Sequence, residues 1–261
     1  MTLAYKGIEI NYHISGKGTP LVFLHGFLEN STMWDDIISD FKDSHTCITI
    51  DLLGHGKTDC LGYIHTMDDM ANATHAVLET INIQNPVLIG HSMGGYVALA
   101  YLSLFPEIAT GLVLLNSTSF PDSEERKINR SRAIDIVKKN PHAYTSMAIA
   151  NLFAEENRSK FRNQIEIIKN EAAKTPLQGI IAALEGMKIR KDHTDTLLKF
   201  NHAKIIFSGE KDPVMSNSQN IAESKLCNTE LITFDGGHMS YLENSDDFKK
   251  SLHHFTKALV V

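Results

Sequence analysis

A serine, an aspartate and a histidine in this chain each follow an apolar run, and together they have the chemistry to attack a carbonyl. Ser92 lies in Gly90-His91-Ser92-Met93-Gly94-Gly95, directly after Pro86-Val87-Leu88-Ile89 and before Tyr96-Val97-Ala98-Leu99-Ala100-Tyr101-Leu102. The pattern reads as strand, sharp turn, helix. A serine on such a turn sits in strained backbone with its hydroxyl exposed at the top of a sheet. The flanking glycines lack Cβ, so strand and helix come close. The next backbone N–H lies at a helix N-terminus, where it can hold a developing oxyanion.

A serine hydroxyl becomes a useful nucleophile beside a base, an acid that orients the base, and oxyanion donors. His238, in Asp235-Gly236-Gly237-His238-Met239, sits on a loop after the last apolar run and is the expected base. Other histidines among the 13 are placed worse: His75 in a helical stretch, His13 on an edge strand, His253 and His254 near the tail. Asp212, in Ser208-Gly209-Glu210-Lys211-Asp212-Pro213, is the expected acid. Glu210 is its rival, and Asp235 is too constrained by adjacency to reach the outer ring nitrogen of His238. The N–H of Phe27, after His25-Gly26, and that of Met93 are the expected oxyanion donors. His25 is expected to brace its loop, and Asp51 with His55 to stabilise a turn. No third ligand of the usual kind stands beside that pair, so no metal is expected.

These residues need a sheet to position them. Residues 8–14 alternate with period two, as a half-exposed antiparallel strand does. Short continuous apolar runs at 21–24, 47–50, 86–89, 112–115, 204–207 and 230–234 are separated by helical stretches at 67–81, 93–105, 216–226 and 245–259. Runs buried on both faces and joined this way predict a parallel sheet of βαβ units. The rhythm breaks between residues 120 and 198, where helical spacing is interrupted at Pro141, Asn157 and Pro176. The expected organisation is a core of residues 1–119 and 199–261 with a helical cap at 120–198. An insertion there lies over the carboxyl ends of the strands, where open α/β sheets bind ligands.

The chain has 261 residues, 43% apolar and 21% charged, with a net charge of −6. No long basic block is present, which argues against a nucleic-acid partner. Three widely spaced cysteines make neither a disulfide framework nor a metal pair and fit a reducing compartment. No apolar run approaches the ~18 residues of a membrane span, and residues 1–16 lack a signal-peptide core. A cytoplasmic protein is expected.

His25-Gly26-Phe27, Asp51-x-x-Gly54-His55-Gly56, Gly90-His91-Ser92-Met93-Gly94-Gly95, Asp212 and Gly237-His238 run in the order of the α/β-hydrolase fold superfamily, which the chain resembles along nearly its whole length. The resemblance implies a mostly parallel central sheet flanked by helices, with a helical cap inserted after the sixth strand. Serine at position 92 sets the chain apart from the dehalogenases and epoxide hydrolases of that fold. Some relatives carry the acid after the strand near residue 115; Asn116-Ser117-Thr118 holds no carboxylate, which favours Asp212. His91 before the serine is esterase-like, whereas His25-Gly26-Phe27-Leu28 and residues 51–56 also suit the SHCHC synthase group.

The expected function is a serine hydrolase that cleaves small or medium carboxylic esters through an acyl-enzyme, without a cofactor. Its partner would be a small ester or acyl substrate, with no nucleic acid and no membrane. The alternatives are a lyase or C–C bond hydrolase using the same three residues, and a ligand receptor on a hydrolase scaffold. Phe120, Met147 and Phe153 are candidates for an apolar acyl pocket. Arg126 and Arg130 share a helix face at i, i+4 and are candidates for binding a substrate carboxylate. Exposed arginine is the commoner state, so a solvated face paired with Glu124 and Glu125 is expected for them.

Overall fold

The computed structural model describes residues 1–259. Eight strands form one sheet in the order β1-β2-β4-β3-β5-β6-β7-β8. They are β1 (Thr2–Tyr5), β2 (Ile8–Gly16), β3 (Thr19–Leu24), β4 (His45–Ile50), β5 (Val87–His91), β6 (Gly111–Leu115), β7 (Ala203–Gly209) and β8 (Glu230–Phe234). The pairs β1–β2 and β2–β4 are antiparallel; every other pair is parallel. The helices are α1 (Asp35–Phe41), α2 (Met67–Thr80), α3 (Met93–Leu104), α4 (Glu124–Lys139), α5 (Pro141–Ala150), α6 (Arg162–Ala172), α7 (Leu177–Lys188), α8 (Thr194–Lys199), α9 (Asn217–Leu226), α10 (Ser240–Glu243) and α11 (Ser245–Lys257).

The strands bury both faces because successive side chains point to opposite sides. Leu21, Phe23, Cys47, Val87 and Ile89 face one layer with Trp34, Ile37 and Phe41 of the α1 region and Phe248 and Leu252 of α11. Val22, Leu24, Ile48, Ile50 and Leu88 face the other layer, against α2 and α3. Residues 93–102 of α3 are all buried, as an all-round apolar helix must be.

The sheet order also sets where a ligand goes. From β3 the chain moves out to β4, then returns to the opposite side of β3 to make β5. Connections leave β3 and β5 in opposite directions, and a crevice opens at their carboxyl ends. His25-Gly26-Phe27 follows β3 and Ser92 follows β5, so both stand at that crevice.

All six apolar runs are strands. The segment between β6 and β7 is helical, and its expected breaks have local causes. Pro141 is the first residue of α5, whose N-cap Asn140 accepts from the Ala143 N–H. Pro176 precedes α7, and Asn157 ends a 3₁₀ turn. Two differences stand out. β1 is an added strand that pairs with residues 8–11 of β2, so β2 is second in the sheet, while His13 lies beyond that pairing and has a strand partner on the β4 side. α1 has only seven residues, too few to show a helical period.

Acid should unfold this molecule early. His25, His55, His65 and His193 are buried, and burial lowers the pKa of each. His55 falls from 6.5 to about 3. A histidine lowered on folding binds fewer protons folded than unfolded. Its contribution is therefore present above 6.5 and is lost as pH falls towards the folded value. His55 alone should remove about 2 kcal/mol between pH 7 and pH 5. His91, described below, is raised and works in the opposite direction. Urea unfolding of the wild type and His55→Asn at both pH values isolates the effect. The variant should lose about 2 kcal/mol less on acidification; equal losses would contradict it.

Candidate active site

β5 ends at His91 and α3 begins at Met93, so the chain reverses within one residue. Ser92 has φ 49° and ψ −112°. A non-glycine residue there is strained, at a cost of about 1–3 kcal/mol. Neighbouring bonds hold it: its N–H donates to the Leu115 carbonyl (2.9 Å), and its carbonyl accepts from the Ser117 hydroxyl (2.8 Å). A Cβ on Gly94 would collide with the Leu24 carbonyl, and one on Gly90 with the Gly94 carbonyl.

The three residues singled out by chain order meet at this turn. His238 Nε2 is 2.9 Å from Ser92 Oγ. His238 Nδ1 is 2.7 Å from Asp212 Oδ2. Asp212 Oδ2 also accepts from Asn116 Nδ2 (2.9 Å), and its Oδ1 accepts from the Val214 and Met215 N–H groups (2.7 and 2.9 Å). Burial pushes the Asp212 carboxyl up, but the His238 ring and these donors outweigh it, leaving the pKa below the ordinary carboxylate value. An ionised Asp212 accepts only, so the Nδ1 proton stays on His238 and Nε2 is left to face the serine. The N–H groups of Phe27 and Met93 have no hydrogen-bond partner among the described residues.

A second buried pair lies beneath the serine, and no spacing in the chain announced it. His91 Nδ1 donates to Glu29 Oε2 (2.7 Å) across 62 positions of sequence. His91 Nε2 meets the His238 carbonyl (3.0 Å). Both ring nitrogens thus face acceptors, which an imidazolium alone satisfies. Burial lowers the His91 pKa, but the Glu29 charge and hydrogen bond raise it more. Burial raises that of Glu29, but His91 lowers it more. Glu29 Oε2 also accepts the Gly26 N–H (2.7 Å), and Oε1 accepts from the Tyr241 hydroxyl (3.2 Å). The pair therefore ties the loop after β3 to the loop that carries His238.

His25 does brace its loop. Its Nδ1 donates to the Gly26 carbonyl (2.7 Å) and its Nε2 accepts from the Leu52 N–H (2.9 Å). Asp51 accepts from Asn11 Nδ2 and the N–H groups of Ser31 and Lys57, while His55 binds the Leu53 carbonyl instead of Asp51. Among the described residues no group of three or more His, Cys, Asp and Glu side chains is placed to hold a metal ion.

A cavity of about 90 Å³ opens over Ser92. Phe27, Glu29, Tyr96 and His238 line it from the sheet side. Arg126 and Arg130 of α4, Ile149 of α5 and Met187 of α7 line it from the helices between β6 and β7. The arginines thus depart from the expected solvated face. They pair with the buried Asp122 rather than with Glu124 and Glu125. The three aromatic and thioether candidates are not in the cavity wall. Met147 is 52% exposed on the outer side of α5. Phe153 is fully buried against Phe161 in the core layer of α1 and α11. Phe120 is half-buried, and its carbonyl accepts from Arg190 Nε (3.1 Å). Asn116, Glu29, His91 and Asp122 are the site residues that sequence reasoning missed.

The family model for the α/β-hydrolase fold matches residues 19–133. Among curated proteins, a cis-3-alkyl-4-alkyloxetan-2-one decarboxylase of Shewanella oneidensis is 33% identical over 128 residues, covering 47% of this chain and 40% of that protein. The chain therefore spans less than half the length of that relative. A pimeloyl-[acyl-carrier protein] methyl ester esterase of Xylella fastidiosa is 25% identical over 94% of this chain and 98% of that one. Among solved structures, a thermophilic esterase from Thermogutta terrifontis, with malate bound, superposes with a TM-score of 0.93 at 27% identity, covering 100% of this chain and 97% of that chain. No helix of the described residues is long and apolar enough to cross a membrane. With this sheet order, a serine turn after β5 and these matches, the chain has the α/β-hydrolase fold.

Proposed function

We propose that the protein is a serine hydrolase of small or medium carboxylic esters and that Ser92, His238 and Asp212 are its catalytic residues. The observation that carries this reading is the hydrogen-bonded chain from Ser92 Oγ through His238 to Asp212. As the ester binds, Ser92 Oγ attacks its carbonyl carbon and passes its proton to His238 Nε2. Asp212 stabilises the imidazolium that forms. The free N–H groups of Phe27 and Met93 take the oxyanion, with no reorganisation needed as charge develops. The tetrahedral centre collapses, the alcohol leaves with the proton from His238, and water repeats the cycle on the acyl-enzyme. The Thermogutta and Xylella esterases support the ester class. In this reading residues 120–198 form a cap over a core of 1–119 and 199–261, since Arg126, Arg130, Ile149 and Met187 close the cavity from that side. Three free cysteines fit a reducing compartment such as the cytoplasm.

The two cavity arginines favour a second reading, a lyase or C–C hydrolase that uses the same residues for proton transfer on a carboxylate-rich substrate. A panel of p-nitrophenyl esters from acetate to decanoate separates the two. Turnover that peaks at short or medium chains is the expected result. Absence of turnover across the panel, by a folded protein, would overturn the esterase reading in favour of the second.

A further inference from the structure

We propose that Arg126 and Arg130 form a carboxylate-binding subsite beside Ser92, so that the substrate is a short ester that carries a carboxylate of its own. The chemistry at Ser92 rests on the hydrolase reading above; the binding does not.

Asp122 is the centre of the cluster. Its side chain is fully buried and receives Arg126 Nε (3.2 Å), Arg130 Nε and Arg190 Nη1. Three guanidinium groups therefore share one carboxylate, which leaves two positive charges in excess. Guanidinium is a permanent cation, so the excess charge calls for a further anionic partner.

The three arginines are not equivalent. Arg190 is 3% exposed, donates to the Phe120 and Met187 carbonyls and lies 4.1 Å over the Tyr96 ring. It is a structural partner of Asp122. Arg126 spends Nη1 on the Val214 carbonyl (2.9 Å), and Arg130 spends Nη2 on Asp122 (3.3 Å). Among the described residues, Arg126 Nη2 and Arg130 Nη1 have no hydrogen-bond partner. Their side chains are only 33% and 14% exposed, and both line the cavity with Ser92 and His238.

No other carboxylate at the site can answer them. Glu29 is engaged by His91, the Gly26 N–H and the Tyr241 hydroxyl. Asp212 is engaged by His238, Asn116 and two backbone N–H groups. A ligand carboxylate supplies the missing partner, with two planar guanidinium groups to receive it. A cavity of about 90 Å³ holds a short chain, so the carboxylate and the scissile carbonyl belong to one small molecule, as in a half-ester of a dicarboxylic acid.

The test compares esters of equal length that differ in the terminal charge. p-Nitrophenyl hydrogen glutarate is set against p-nitrophenyl pentanoate, and an ester with the carboxylate on the alcohol side against its neutral counterpart. Wild type should favour the charged member of at least one pair. In Arg126→Gln/Arg130→Gln that preference, read as the ratio of kcat/KM values, should fall roughly 10- to 100-fold. Arg190 remains to neutralise Asp122 in this variant. Arg126→Gln alone, which keeps Arg130 on Asp122, should show a smaller fall. Calorimetric titration of monomethyl glutarate and methyl pentanoate into Ser92→Ala reads binding without turnover. Selective binding of the glutarate, lost on adding the arginine substitutions, supports the subsite even where wild type hydrolyses neither ester; in that case only the hydrolase reading falls. Equal binding of the two, or charge preferences that survive both arginine changes, would overturn the subsite and leave the hydrolase reading standing.

Discussion

Ser92→Ala is expected to lower kcat on p-nitrophenyl esters by at least about 10³-fold and to leave the fold intact. The hydroxyl lies in the cavity with a base at hydrogen-bonding distance, 2.9 Å from His238 Nε2. Without it no acyl-enzyme can form, and water must attack the ester directly from a position that the turn does not fix. Stability should change by less than about 1 kcal/mol, since the backbone bonds that hold the turn come from Leu115 and Ser117 and survive the change. Kinetics and a thermal melt on the same preparation check both halves. More than a tenth of wild-type activity in the variant would refute the role of Ser92.

Asp212→Asn is expected to slow the reaction by roughly 10³- to 10⁴-fold while binding changes little. Both Asp212 oxygens act purely as acceptors. Oδ1 faces the Val214 and Met215 N–H groups; Oδ2 faces His238 Nδ1 and Asn116 Nδ2. An amide must place its NH₂ on one side or the other. Towards Oδ1 it opposes two backbone donors. Towards Oδ2 it opposes Asn116 and drives His238 to the tautomer with its proton on Nε2, which cannot take the serine proton. Glu210→Gln is the control. Glu210 is exposed at the turn after β7, and its substitution should leave kcat within about twofold, as surface changes do. Pre-steady-state acylation rates and KM separate the effects. The reverse ranking of the two variants would make Glu210 the acid.

The parallel strands were legible because a strand covered on both faces must be a continuous apolar run, and few other structures need one. Ser92, Asp212 and His238 were legible for a related reason: each sits on the loop that follows a parallel strand, so chain order alone places them at one edge. The helices between β6 and β7 were legible as helices, but not in their phase. A shift of one residue turns a helical side chain by about 100°. That is why Met147 faces outward while Ile149, two residues on, is buried at the cavity. The arginine cluster needed partners that no local pattern contains. Asp122 lies before the N-cap of α4, outside the helical repeat, and Arg190 reaches it from 68 positions away. Glu29 and His91 likewise meet only because β3 and β5 are neighbours in the sheet.

A fluorophosphonate probe tests most directly whether Ser92 is an activated nucleophile. The serine oxygen displaces fluoride from phosphorus, and the adduct records which hydroxyl was activated. Peptide mass spectrometry after brief exposure should find one adduct, on Ser92. His238→Ala should lose it, because the base that takes the proton is gone. An adduct on another serine, or no adduct while a reference serine hydrolase in the same tube labels fully, would contradict the assignment of Ser92.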